Sequence, residues 1–205
     1  MRIIVISPTK TTDNEISVVC QLFKSGLQTL HLRKPGYSAK KLKEYLQSIP
    51  KEYHNRIVIH SHHKLALKFN LQGIHYTSKD RKFNWKRRWL KYKIMRKNPY
   101  HTVSTSFHKI MSLDQDQGSW DYVFLSPIFD SISNKDYQSG FNEFNLKKAL
   151  DRTLLNVIAL GGIDTERIPQ ILEYNFFGCA LLGTIWESEN PVQSFIEFKN
   201  QLESQ

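Results

Sequence analysis

Residues 159–164 read ALGGID, and residues 179–186 read CALLGTIW. In each stretch a short apolar run stops at glycine. A helical pattern follows Gly161 and Gly162, so backbone N–H groups exposed there can meet an anion near a helix N-terminus. In the second stretch Gly183 and Thr184 end the last apolar run of this kind. Either loop alone would be weak, because glycine also punctuates ordinary turns. Together they matter. Glycine loops after the seventh and eighth strands are how a parallel eight-stranded barrel grips phosphate. Gly161, Gly162, Leu182, Gly183 and Thr184 are therefore the candidate phosphate-binding residues.

Working outward, eight short runs rich in Ile and Val are spread evenly along the chain, at 2–7, 29–33, 56–60, 73–77, 102–106, 122–126, 156–160 and 178–182. Several lack strict alternation, as expected of parallel strands covered on both faces. Helical patterns lie between them. NEISVVCQLFKSG places Ile16, Val19 and Phe23 on one face and ends at Gly26, while SAKKLKEYLQSI opens on the N-cap residue Ser38 and buries Leu42, Tyr45, Leu46 and Ile49. A third pattern opens on Asp164, with Glu166 in the first turn, where its charge suits the helix dipole. Strand–helix alternation of this kind also suits an open, doubly wound sheet, and the two glycine loops tip the reading. The expected fold is α/β, a compact (β/α)8 TIM barrel, with residues 1–205 as a single domain and the first strand paired to GCALL.

Composition narrows the class. Apolar residues make up 40% and charged residues 23%, the balance of a folded chain. No run approaches a membrane span, and MRIIVISPTK is unlike a signal peptide. Cys20 and Cys179 sit among apolar neighbours and read as reduced core residues, so the expected location is cytoplasmic. Nearly all of the net charge of +10 lies in segment 79–97, which holds ten basic residues and one acidic residue between strands four and five. Such a patch could draw an anionic partner. Trp85, Trp89 and Tyr92 recur there at helical spacing, however, and are expected to bury one side of a solvated helix. The reading is no membrane and no nucleic-acid partner; association into a homo-oligomer is left open.

Polar residues at strand ends supply the chemistry. LHLRKPG brings Arg33 and Lys34 to the rim of the second strand, and Arg33 shares the parity of inward-pointing His31. VSTSFH places Ser106 and His108 after the fifth strand. SPIFDSISNKD carries Ser131, Ser133, Asn134 and Lys135 after the sixth, a loop of hydroxyls and a cation suited to a phosphorylated ligand. Each also has a plain reading: Ser131 as a turn cap, Lys135 as a solvated charge, His108 packed at a helix start.

With these residues in view, the sequence resembles the family of thiamine-phosphate synthase and thiazole tautomerase. The likeness runs through LHLRKP, GIHYTSKD, VSTSFH, YVFLSPIFDSISNKD, VIALGGI and GCALLGTI, nearly the whole chain. The resemblance implies a compact (β/α)8 barrel acting on a phosphorylated thiazole. The synthase joins a pyrimidine diphosphate to a thiazole phosphate with Mg2+ holding the departing diphosphate. The tautomerase moves a proton on a carboxylated thiazole phosphate and needs no metal.

Several positions depart from the synthase pattern. His60 and Ser61 stand where that pattern has an Asn-Asp pair whose aspartate binds Mg2+, while Asp80 keeps the second metal-binding aspartate. His31 replaces a glutamine, Pro35 a lysine and Asn134 another lysine, with Lys135 directly after it. The thiazole-phosphate half is better kept: Ser131 and Ser133 match two threonines, the Gly161-Gly162 loop is intact, and Gly183 replaces a frequent serine. His108 matches the acid–base histidine of the tautomerase, though synthases often carry one there too. A lone carboxylate beside a hydroxyl suits Mg2+ poorly, so no metal is expected at Asp80 and Ser61.

RIVIHSHHKLALKF (residues 56–69) adds a histidine cluster. His60 and His62 could be zinc ligands if His31, His75 or Asp80 converged on them, but nothing in the spacing requires it. His60 is read instead as a group lining the substrate pocket, and His62 and His63 as the surface start of a helix. The favoured function is a metal-independent, tautomerase-like proton transfer on a thiazole phosphate with His108 catalytic, since an imidazole can both take and give a proton near neutral pH. The substrate would be bound by His31, Arg33, Lys34, His60, Ser106, Ser131, Ser133, Asn134 and Lys135. The alternatives are true thiamine-phosphate synthase activity with Mg2+, and a non-catalytic or regulatory protein that binds a phosphorylated ligand.

Overall fold

The computed structural model describes the chain except residues 79, 82–84, 98–100, 117–118 and 131–140, and omits the side chains of 85–88, 95 and 97. Eight parallel strands close into a barrel in sequence order: β1 (Arg2–Ile6), β2 (Thr29–Leu32), β3 (Ile57–Ile59), β4 (Gly73–Tyr76), β5 (Thr102–Phe107), β6 (Tyr122–Leu125), β7 (Val157–Leu160) and β8 (Gly178–Leu181). Each of the eight apolar runs holds one strand, within one or two residues at its ends.

The chain divides into two compact units. One comprises Met1–Val5 and Ser106–Gln205. In it β1 pairs β8 from Arg2 opposite Gly178 to Val5 opposite Leu181, as expected of a closed sheet. β8 in turn pairs β7, and β7 pairs β6. Its helices are α5 (Met111–Gln115), α6 (Glu143–Arg152), α7 (Ile168–Glu173), α8 (Gly183–Trp186) and α9 (Pro191–Glu203), numbered in chain order after four in the other unit. Asp164 accepts a hydrogen bond from the Arg167 amide and opens a 3-10 turn that runs into α7.

The other unit is Ile6–Thr105. β2 pairs β3, β3 pairs β4 and β4 pairs β5. Its helices are α1 (Glu15–Lys24), α2 (Ala39–Ser48), α3 (Lys64–Phe69) and α4 (Trp85–Lys97). Ser38 caps α2 by accepting from the Lys41 amide, and Leu42, Tyr45, Leu46 and Ile49 are buried as read. On α1 the buried face is Glu15, Val19, Leu22 and Phe23, with Ile16 only half-buried. A carboxylate thus occupies part of a face expected to be wholly apolar.

The basic helix α4 overturns one expectation. Trp89 and Tyr92 are 57% and 59% exposed, and among the described side chains of the helix the buried apolar one is Ile94. Trp89 and Tyr92 meet edge to face at 6.4 Å on the solvent side, with Lys93 Nζ 4.9 Å from the Trp89 ring centre. Ile94, five residues past Trp89, points the other way around the helix. The Trp85 side chain lies outside the described residues.

Candidate active site

Strand register accounts for the first group of polar side chains. His31 lies opposite Val58, Val58 opposite Gly73, and Ile59 opposite Ile74. Strand parity therefore sends His31, His60 and His75 to one face. Both faces of these strands are buried: on this one His31 and His75 are 0% and 2% exposed, and His60 is half-buried one residue past β3. His31 Nδ1 and His60 Nε2 share a hydrogen bond at 2.9 Å. The His60 and His75 rings stack at 4.1 Å, and His75 Nδ1 is 2.9 Å from Ser104 Oγ. Burial, then the neighbouring His75, His31 and Arg33, hold the His60 imidazole well below its ordinary pKa. Burial lowers His75 to about 3, with His63 and Arg33 adding to the effect. Both rings are neutral at neutral pH. The structure thus gathers around His60 two histidines whose convergence nothing in the sequence spacing required.

At the end of β2 the two cations separate. Arg33 is exposed, and its backbone is clamped by Ser7: the Arg33 amide donates to Ser7 Oγ at 2.9 Å, and that hydroxyl donates to the Arg33 carbonyl at 3.2 Å. Lys34 corrects the sequence reading. Its Nζ donates to Glu15 Oε2 at 2.6 Å and to the Pro8 carbonyl at 2.7 Å, and it is fully buried. Tyr45 Oη donates to the other Glu15 oxygen at 2.6 Å, and burial with that carboxylate pushes the Tyr45 phenol far above its ordinary pKa. Lys34 is a structural cation rather than a substrate ligand, because its charge is consumed inside the unit.

Asp80 Oδ2 accepts from the Thr77 amide at 3.2 Å and from Thr77 Oγ1 at 2.6 Å. Ser61 is half-buried and adds a hydroxyl without charge. Among the described residues, the group of His, Cys, Asp or Glu side chains that could surround an ion is His31, His60 and His75. Nitrogen donors and one tied carboxylate do not suit a hard cation such as Mg2+, which is held by oxygen ligands. His62 is exposed, with Nε2 2.7 Å from the Tyr37 carbonyl. His63 departs from its expected surface place. It is half-buried, with Nε2 3.0 Å from the His75 carbonyl and its ring edge-on to Tyr76.

In the unit holding β6 to β8, the loop after β7 turns at Gly161 and Gly162 with φ of +95° and +64°. A Cβ on Gly162 would stand 2.2 Å from the Asp130 carbonyl oxygen. Only glycine fits that close approach. Leu182 precedes α8, which begins at Gly183, and Thr184 Oγ1 donates to the Ile163 carbonyl, tying the two glycine loops together. Gly161, Gly162, Leu182, Gly183 and Thr184 are all half-buried. His108, just past β5, is exposed and its Nδ1 is 2.9 Å from the Ser126 carbonyl. A carbonyl only accepts, so Nδ1 carries the proton and Nε2 the lone pair in the neutral ring. Ser106 is half-buried on β5. Ser131, Ser133, Asn134 and Lys135 lie outside the described residues.

Reading from the sequence missed Ser7, Ser104, Glu15 and the Ser126 carbonyl. Ser104 had a detectable signal, since it has the parity of Ser106 on the same strand. The others depend on contacts between distant segments.

A closed parallel barrel with tied glycine loops after its seventh and eighth strands defines the class, a (β/α)8 barrel built as phosphate-handling enzymes are. Residues 3–185 match the thiamine monophosphate synthase family, and the chain belongs to that family. A thiamine-phosphate synthase of Latilactobacillus sakei is 25% identical over 199 residues, covering 92% of this chain and 85% of that protein. The crystal structure of a thiamine phosphate pyrophosphorylase from Bacteroides thetaiotaomicron is 28% identical, with a TM-score of 0.79 over 100% of this chain and 99% of that one. The Pyrococcus furiosus thiamine phosphate pyrophosphorylase shares the fold, with a TM-score of 0.77 at 15% identity over 99% and 96% of the two chains.

Proposed function

We propose that this protein is a transferase of the thiamine-phosphate synthase kind, joining a hydroxymethylpyrimidine diphosphate to a thiazole phosphate. The observation that carries this reading is likeness along almost the full chain to relatives of that activity. It takes precedence over the tautomerase reading that the substituted residues suggest. The glycine backbones at 161–162 and 183–184 bind the thiazole phosphate through N–H groups, a grip that needs no side-chain charge. Arg33, exposed and with its backbone clamped by Ser7, is a cation of the kind that suits an anionic group such as a diphosphate. With Ser61 beside it, Asp80 is a lone carboxylate tied to Thr77, a donor set that suits Mg2+ poorly.

One observation favours the second reading. The Ser126 carbonyl holds His108 in the tautomer that leaves Nε2 as acceptor at an exposed position. That is the form a general base requires, and it suits proton transfer on a carboxylated thiazole phosphate. Direct assay separates the two. The purified protein is incubated with the pyrimidine diphosphate and thiazole phosphate, and separately with the carboxylated thiazole phosphate tautomer, each with Mg2+ and with chelator. Condensed product supports the transferase. Isomerisation alone, insensitive to chelator, overturns it in favour of the tautomerase, and thermal stabilisation by thiazole phosphate without turnover in either arm marks a binding protein.

A further inference from the structure

The three histidines at β2, β3 and β4 carry more than pocket lining. They come from three successive strands, share one parity, and offer nitrogen atoms that all lie within 4.8 Å of one another. We propose that His31, His60 and His75 form a binding site for a divalent transition metal of the zinc class, with the fourth coordination position open to an oxygen ligand.

The geometry is close to what such an ion needs. Two nitrogens bound tetrahedrally at Zn–N distances of about 2.0–2.1 Å stand about 3.3 Å apart. His31 Nδ1 and His60 Nε2 are already 2.9 Å apart. Opening that pair by about 0.4 Å replaces one hydrogen bond with two metal bonds. His60 and His75 stack with their planes 22° apart, and His31 stands 72° to His75. Tilting His60 off the stack is a rotation about its own side-chain bonds, since it lies just beyond the strand end. Ser104 Oγ at His75 Nδ1 supplies the outer hydrogen bond that ligating imidazoles generally have, and it directs Nε2 toward the ion.

The donor set selects the metal. Imidazole nitrogens suit zinc, copper, nickel or cobalt, and they suit magnesium or calcium poorly. Three neutral ligands leave the full double positive charge on the ion. Among the described residues, Asp80 is the acidic group whose field reaches His75, whereas Arg33 and Arg81 oppose it. The open position therefore favours an anionic oxygen, such as a phosphate or carboxylate group. Three protein ligands with one exchangeable position is the pattern of catalytic zinc sites rather than structural ones.

The test needs no substrate and does not depend on the proposed activity. Full-length protein is stripped with chelator, then titrated with Zn2+ against a chromophoric competitor and with Co2+ by visible absorption. One equivalent of Zn2+ and the intense bands of tetrahedral Co2+ are expected. His60→Asn and His31→Gln should each weaken Zn2+ binding by more than about 100-fold, and Ser104→Ala by about 10–100-fold. Exposed His62→Ala should leave binding unchanged. Circular dichroism of the metal-free variants confirms that they are folded, and His60→Asn at the half-buried rim remains available if His31→Gln is not. Absence of stoichiometric binding, six-coordinate Co2+ spectra, or native affinity in folded His60→Asn would each overturn the site. Inorganic phosphate added to the Co2+ form should shift its spectrum, and an unchanged spectrum would overturn the open position.

Discussion

Lys34 Nζ lies 2.6 Å from Glu15 Oε2, with the two side chains 0% and 1% exposed. A lysine that follows Arg33 in sequence thus faces the opposite way and locks α1 to the end of β2. Removing one partner strands the other as a buried charge. Glu15→Gln should destabilise the protein by about 3–5 kcal/mol, and Glu15→Leu combined with Lys34→Met should recover most of that loss. Urea denaturation of the three proteins checks this. A double variant no more stable than Glu15→Gln would show that the pair has a role beyond mutual neutralisation.

Gly162 and Gly36 both have positive φ, yet only Gly162 is crowded. Gly36→Ala carries backbone strain alone, about 1 kcal/mol. Gly162→Ala must also move the Asp130 carbonyl, which would stand 2.2 Å from the new Cβ. It should lose at least tenfold in affinity for thiazole phosphate, by calorimetry at a temperature where the variant is folded, while Gly36→Ala keeps native affinity. Equal affinities would move the phosphate site away from that loop.

His108 separates the two enzymatic readings. If proton transfer is the chemistry, His108→Ala should lower turnover by about 10²–10⁴-fold. Phosphate affinity should be preserved, because the proposed phosphate grip lies on the glycine backbones of other loops. Steady-state rates and binding constants for the variant decide the matter. Native-rate condensation by His108→Ala would support the transferase.

The surface of α4 gives a direct test of the corrected burial. Trp89→Ser and Tyr92→Ser should change stability by no more than about 0.5 kcal/mol, as exposed positions do. Ile94→Ala should cost about 2–4 kcal/mol, because that side chain is 2% exposed. Thermal or urea unfolding of the three variants would reverse this order if the aromatic side were the packed one.

Cys179 is fully buried on β8, and burial raises its thiol from an ordinary value near 9 to about 12. The unfolded chain loses that proton first as pH rises. Its contribution to stability is therefore complete below about pH 9 and declines toward pH 12, by up to about 1.4 kcal/mol per pH unit. The stability of Cys179→Ala should fall less steeply between pH 9 and 10.5 than that of the native protein, whatever its offset at pH 7. Parallel slopes in urea titrations would show that this thiol does not ionise on unfolding.

The sequence by itself determined the strands, their order and the two glycine loops. Those features are local: Ile- and Val-rich runs are readable one strand at a time, Ser38 and Asp164 cap helices within three residues, and the Gly161-Gly162 pair signals a turn after its strand. Even the common face of His31, His60 and His75 follows from parity once the register is known. Register is the part no single run contains, because it is set by packing across strands whose paired residues lie 27 and 15 positions apart. For the same reason only the tertiary structure decided that Lys34 pairs with Glu15, that α4 exposes Trp89 and Tyr92, and that His63 is held to the His75 carbonyl. A charged or aromatic side chain can be satisfied by solvent, by a partner or by burial. Which of these applies depends on what the fold brings within about 3 Å of it.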